Sequence, residues 1–244
     1  MSATAQVFRR ELASLLLAPL MVVFLVAFLV LAGALAFFVG GFYMRGQADL
    51  QAFFEFQPWL FLLLAPALSM RLWAQERRSG SIELLLSLPL RTSQAVLGKF
   101  FAAWVYAGFA LVLTMPLWIM VNYLGEPDNG VIVAGYIGSW FLAGMYIAFG
   151  SAISAMTRSP TLAFVLAAAL CLALALASYP PLHDALQATF GTRVADAVAA
   201  LGVGDRFAAI ARGVLMWRDV AYFGAGVGTG LLASWLGVQQ ARVD

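Results

Sequence analysis

The chain has one cysteine and one histidine in 244 residues, and Asp, Glu, Lys and Arg together make up only 11% of it, against roughly 25% in an ordinary soluble domain. Each scarcity closes off a class of function. The single thiol, Cys171, lies inside an apolar run, so neither a disulfide framework nor a thiolate metal site can be built within one chain. It reads as a small buried hydrophobe. The lone imidazole, His183, follows Pro180-Pro181 in an expected connecting segment and leaves no His-pair metal motif and few triads to consider. A formal net charge of +2 from 14 basic and 12 acidic residues is too small and too dispersed to form a footprint for nucleic acid.

Apolar residues dominate instead, at 63%. Six runs are long and apolar enough to cross about 30 Å of hydrocarbon: 15–39, 58–70, 100–123, 131–156, 161–178 and 220–238. The expectation is an all-α polytopic membrane protein in one domain, 1–244, with six transmembrane helices. Arg9-Arg10, an apolar run and Ala34-Leu35-Ala36 imitate a signal peptide, but the run over 12–39 is roughly twice the usual length of its apolar region. An uncleaved first span is expected.

Basic residues in the connections set the orientation. The 71–99 connection carries Arg71, Arg77, Arg78, Arg91 and Lys99, whereas 40–57 has only Arg45 and 124–130 has none. That puts 71–99 and both termini in the cytoplasm, in agreement with Arg9, Arg10, Arg158 and Arg242. The segment 180–218 then lies outside, although it holds Arg193, Arg206, Arg212 and Arg218. Its Thr192 and Asp205 are expected N-caps of short amphipathic interfacial helices, separated at Gly202 and Gly204. A re-entrant hairpin or seventh span is the alternative, costly for Arg193, Asp196 and Asp205 at membrane depth.

Ahead of the first span, Phe8, Leu12, Leu15 and Leu16 recur at helical spacing among Gln6, Arg9, Arg10 and Glu11, which predicts an interfacial helix over 1–14 turning at Pro19. The frayed end of span one is the plainer alternative. The most informative stretch runs from Glu76-Arg77-Arg78 through Ser79-Gly80-Ser81 to Ile82-Glu83-Leu84-Leu85-Leu86-Ser87-Leu88-Pro89. The serines and glycine offer caps for a two-turn helix that Pro89 ends, and Glu83 and Ser87 share its one polar stripe. So many aliphatics in a connection mark a docking site for a protein partner; a helix lying on lipid or on the bundle is the other reading.

These residues, with Phe61 through Arg71 before them and Leu97-Gly98-Lys99 after, resemble the ABC-2 type permease family, most closely its gliding-motility-type permease subunits. Arg212-Gly213-Val214, Arg218-Asp219 and Tyr222-Phe223 also fit; Arg206-Phe207 stands where a His-Phe pair is expected. The resemblance implies a transporter subunit of the bacterial inner membrane whose 72–98 loop holds a coupling helix that docks into a separate ATP-binding subunit. It implies two such subunits per complex, a second permease chain that is the same or related, and an optional extracytoplasmic auxiliary subunit. Glu76, Arg77, Arg78 and Glu83 would supply charged contacts around Gly80, with Ile82 and Leu85 as an apolar plug. No cofactor is expected in this chain, ATP and magnesium being held by the partner.

Gly98-Lys99 is no phosphate loop, since Ser93 replaces the first glycine and Phe100 the hydroxyl residue. An intramembrane enzyme would have to use Ser139, Ser151, Ser154 or Thr114, which helix-to-helix hydrogen bonding explains more cheaply. Gly224, Gly226, Gly228 and Gly230 form two overlapping GxxxG repeats, for packing within the subunit or for a dimer interface. Trp59, Trp104, Trp118, Trp140 and Trp217, with Tyr123 and Tyr179, read as interfacial anchors. A membrane anchor or scaffold for an extracytoplasmic partner, without ATP coupling, remains the competing function.

Overall fold

The computed structural model describes residues 3–42, 48–80 and 91–240, and every regular element among them is helical. The chain first breaks at Ala18, in an extended conformation, after α1 (Ala3–Leu17); Pro19 then opens α2 (Pro19–Ala34). Proline suits that first position because its missing N–H would have no helical partner anyway. The helix ends in a wider π-type turn, Leu35–Val39. Then come α3 (Gln51–Glu55), α4 (Gln57–Ser69), α5 (Ala74–Ser79), α6 (Thr92–Val112), α7 (Met115–Leu124), α8 (Asn129–Met156) and α9 (Pro160–Leu176). The last four are α10 (Pro180–Phe190), α11 (Thr192–Ala200), α12 (Gly204–Ala211) and α13 (Trp217–Gln240).

Among the described residues, Pro19–Val39, Thr92–Leu124, Asn129–Met156 and Trp217–Gln240 are each long and apolar enough to cross a membrane. A fifth crossing results if α9 and α10, bent by 84° at their junction, are taken as one. The expected second span is α3 and α4 instead. At 13 residues α4 is about 20 Å long, short of the hydrocarbon thickness. The two together still run beside α8, with Phe54 of α3 against Gly135 at one end and Ser69 of α4 against Gly150 at the other. Leu60, Phe61, Leu64, Ala65, Ala67 and Leu68 are all buried, so the apolarity of α4 serves the protein core.

α8 is the axis of the bundle, packed against α4, α6, α9, α12 and α13. Without a hydrophobic gain between helices in lipid, close approach depends on small residues and interhelical hydrogen bonds. Gly226 and Gly230 of α13 lie on α8, where added β-carbons would fall 2.8 Å from Met145 and 2.7 Å from the Ala148 carbonyl carbon. Gly224 and Gly228 have nothing within 4 Å. One GxxxG repeat therefore packs inside the subunit and the other faces outward.

α6 and α8 are joined by a reciprocal clasp that corrects the anchor reading of Trp104 and Trp140. Their rings stack at 4.2 Å in mid-helix. Trp104 Nε1 donates to the Trp140 carbonyl (2.8 Å) and Trp140 Nε1 to that of Trp104 (3.1 Å). Each ring lies over a glycine of the facing helix, Gly144 and Gly108, where a β-carbon would sit 2.7 and 3.1 Å from the indole nitrogen. Both glycines come four residues after a tryptophan, a Trp-x3-Gly repeat shared by the two helices. Trp59, Trp217, Tyr123 and Tyr179 are exposed, as anchors would be.

The segment after α9 holds three short helices. Pro180-Pro181 opens α10 rather than forming a connection, and Gly191 and Val203 occupy the cap positions expected for Thr192 and Asp205. Phe207 and Ile210 anchor α12 on the core, with Ile210 against Gly138 of α8. Arg206 pairs with buried Asp219 at the start of α13 (3.5 Å) and lies 4.4 Å from the Tyr222 ring centre. The Tyr222 hydroxyl donates to Leu201 O at 2.6 Å. Arginine at 206 thus has its own structural partners.

The two ends of the bundle differ in charge. At the end where α2 and α6 begin and α8 and α13 finish, the described charges are Arg9, Arg10, Glu11, Arg71, Glu76, Arg77, Arg78, Arg91, Lys99 and Arg158. At the opposite end, Asp49, Glu55, Glu126, Asp128, Asp184, Asp196, Asp205 and Asp219 outnumber Arg193, Arg206, Arg212 and Arg218. The arginines of 180–218 therefore stand among a larger set of acids.

Candidate functional site

The basic end carries the site. Lys99, two turns into α6, is almost completely buried, with 1% of its side chain exposed. Removing an ammonium from water is costly unless carboxylates surround it, and two do. Its Nζ lies 2.8 Å from Glu76 Oε1 on α5 and 3.1 Å from Glu11 Oε1 on α1. The Trp73 ring is 5.1 Å away on its centroid, adding a cation–π attraction. Three segments far apart in sequence are joined through one cation.

Apolar packing backs the charges. A β-carbon on Gly98 would fall 2.9 Å from Val7 of α1, so the glycine before Lys99 lets α1 and α6 approach closely enough for Glu11 to reach it. Val7 and Leu15 are the buried residues of α1, with Phe8 and Leu12 partly covered. α1 therefore packs against α6 along a face that keeps Phe8, Leu12 and Leu15 of the expected stripe, adds Val7 and leaves Leu16 exposed.

The strand of chain between α4 and α5 is held from α8. Ser154 Oγ accepts from the backbone N–H of Trp73 (3.2 Å) and Ala74 (3.1 Å) and donates to Met70 O (3.0 Å). Trp73 Nε1 donates to Ser151 Oγ, which also accepts from Ser234 of α13, both at 3.1 Å. Arg77 Nη1 donates to Ala155 O, satisfying a carbonyl in the last turn of α8 where a cation is favoured. Ser139 and Thr114 are likewise engaged, donating to Gly135 O and Leu111 O. Ser151 and Ser154 thus bond across to other segments, whereas Ser139 and Thr114 bond back to the preceding turn. Replacing Ser154 with Ala would strand the two buried N–H groups, and a loss of roughly 1–3 kcal/mol is expected as a lower unfolding midpoint in detergent.

Of the residues expected to meet a partner, Glu76 and Arg77 therefore have intramolecular contacts, whereas Arg78 is exposed. Gly80 is exposed and ends α5 at φ 72°, a left-handed turn that glycine makes without penalty. Ile82, Glu83 and Leu85 lie outside the described residues. The buried latch was missed from sequence because Lys99 is 88 residues from Glu11 and 23 from Glu76. Its one signal was a lysine at the edge of an apolar run.

A family model described as "ABC-2 family transporter protein" matches residues 5–190. Among curated proteins, the chain is 32% identical over 101 residues to "Heme exporter protein B" of Paracoccus denitrificans (strain Pd 1222), an alignment covering 41% of this chain and 46% of that protein. The chain thus spans about half the length of the curated relative it matches.

Proposed function

The chain belongs to the ABC-2 family of transporter proteins, and on that premise we propose that it is the permease subunit of an ATP-binding-cassette transporter, moving a cargo or transmitting force across the bacterial inner membrane. It works with a second permease chain and two ATP-binding subunits that hold ATP and magnesium. The chain crosses six times, α3 and α4 making the second crossing in the shelter of α8, and both termini are cytoplasmic. The excess of arginine at the latch end supports this orientation.

One observation carries the reading: the buried Lys99 latch ties α5 to α1 and α6, immediately before the amphipathic 81–90 segment. Breaking such a buried ion pair costs about 3–5 kcal/mol. A partner pulling on 81–90 therefore moves α5, α1 and the start of α6 together. On this account Arg78, Ile82, Glu83 and Leu85 make the docking contacts, while Glu76 and Arg77 pass the displacement inward. The Glu76-to-Leu86 motif favours a gliding-motility-type subunit. The Paracoccus relative favours a second reading, a heme-exporter-type subunit with heme as cargo.

Purification of the tagged chain from its native membrane in mild detergent tests the proposal. A phosphate-loop ATPase is expected to co-elute at near-equal stoichiometry, and its absence after gentle crosslinking would leave the scaffold reading.

A further inference from the structure

Adjoining the latch along α5 lies a cavity of about 560 Å³ lined by Leu20, Met70, Arg71, Gln75, Arg78, Ser79, Pro160 and Thr161. Among the described residues, no carboxylate lines it. Glu76 and Glu11, which line the adjoining pocket, are held by Lys99. Arg71 Nε donates to Gln75 Oε1 at 2.7 Å, which fixes the guanidinium, and neither Arg71 nor Arg78 makes an ion pair among the described residues. The first turn of α9 adds the Thr161 hydroxyl beneath a serine cap, Ser159.

The surroundings identify the occupant. The cavity lies where α2 and α9 begin, and one turn deeper these helices meet through Phe24 and Phe164, with ring centres 6.0 Å apart. Around it Leu17, Leu20 and Val23 on one side and Leu162 and Val165 on the other are exposed. A polar, cationic recess thus opens beside two apolar helix faces, as a phosphate group with attached acyl chains requires. We propose that this cavity binds the headgroup of an anionic phospholipid of the cytoplasmic leaflet, whose acyl chains lie along α2 and α9. Two guanidinium groups match phosphate oxygens in charge and in fork geometry. Arg71, Gln75 and Ser79 line both this cavity and the pocket around Lys99, so an occupied headgroup site would brace α5 next to the latch.

The proposal rests on the reading that this end meets the membrane surface, and it makes Arg78 a headgroup ligand of the undocked permease, for which an ATP-binding subunit would compete. The test is native mass spectrometry of the purified full chain in detergent, titrated separately with phosphatidylglycerol, phosphatidylcholine and inorganic phosphate. Retention of phosphatidylglycerol over phosphatidylcholine is expected, falling roughly fivefold for each of Arg71→Gln and Arg78→Gln. Arg91→Gln, at the same end but outside the cavity, should leave the preference unchanged. Arg78 is exposed, so its variant keeps the fold, which the elution profile checks. Three results would each overturn the proposal: equal retention of the two lipids, a preference that survives both substitutions, or the same loss in Arg91→Gln. Arginine-dependent binding of inorganic phosphate with no lipid preference would identify a soluble anion site and overturn it as well.

Discussion

Lys99→Met is expected to lower the unfolding midpoint by roughly 6–16 °C, from a loss of about 3–4 kcal/mol, the lower part of the range for a broken buried ion pair, in a chain of this size. Methionine keeps much of the lysine volume but leaves Glu11 and Glu76 facing each other around an uncharged thioether. Two carboxylates in a confined site repel, and neither retains its counter-ion. Replacing the whole triad, Glu11→Met with Lys99→Met and Glu76→Met, should restore most of the lost stability, since replacing buried ion pairs by well-packed apolar groups of similar volume is often close to neutral. The same triple variant is expected to lose ATP-dependent activity if the latch transmits displacement. A structural salt bridge alone would leave the triple variant both stable and active. Thermal unfolding and transport, measured on both variants, separate the two roles.

The second large effect is at α13. Gly230→Leu places its first side-chain carbon 2.7 Å from backbone of α8 at Ala148, and backbone cannot turn aside as a flexible side chain can. The helices must separate, which also pulls Ser234 from Ser151 and so loosens the network behind Trp73. Gly228→Leu, two residues earlier on the open face, meets nothing in the subunit. Gly230→Leu is expected to abolish the monodisperse peak in size-exclusion chromatography, and Gly228→Leu to retain it. Loss of a dimer with preserved subunit folding in Gly228→Leu would assign the outward repeat to the second permease chain. Equal damage in both variants would refute the packing described for α13.

Composition and periodicity were enough for the all-helical class, the break at Pro19, most of the packed face of α1 and the short helices after α9. They failed where partner identity matters. A short helix buried in protein and a longer one facing lipid are equally apolar, so α4 reads as an ordinary span until its neighbours are known. Pro180-Pro181 was read as a connection, although proline at the first position starts helices as readily as it ends them. Trp104 and Trp140 look like membrane-edge residues in isolation; only the glycine four residues after each hints at the clasp. The latch is the hardest case, because nothing local connects Glu11, Glu76 and Lys99. The inward placement of Glu76 and Arg77 likewise depends on where the end of α8 lies, which the loop sequence does not contain.

The most direct test of the central claim is a photo-crosslinking amino acid at Leu85, with a second at exposed Tyr123 at the opposite end of the bundle as control. Irradiation in native membranes is predicted to join the Leu85 variant to a phosphate-loop ATPase, with the product lost on adding Glu83→Arg and absent from the Tyr123 variant. Crosslinks from Leu85 to lipid or to the chain itself, with no ATPase in any condition, would contradict the account and leave a membrane scaffold in its place.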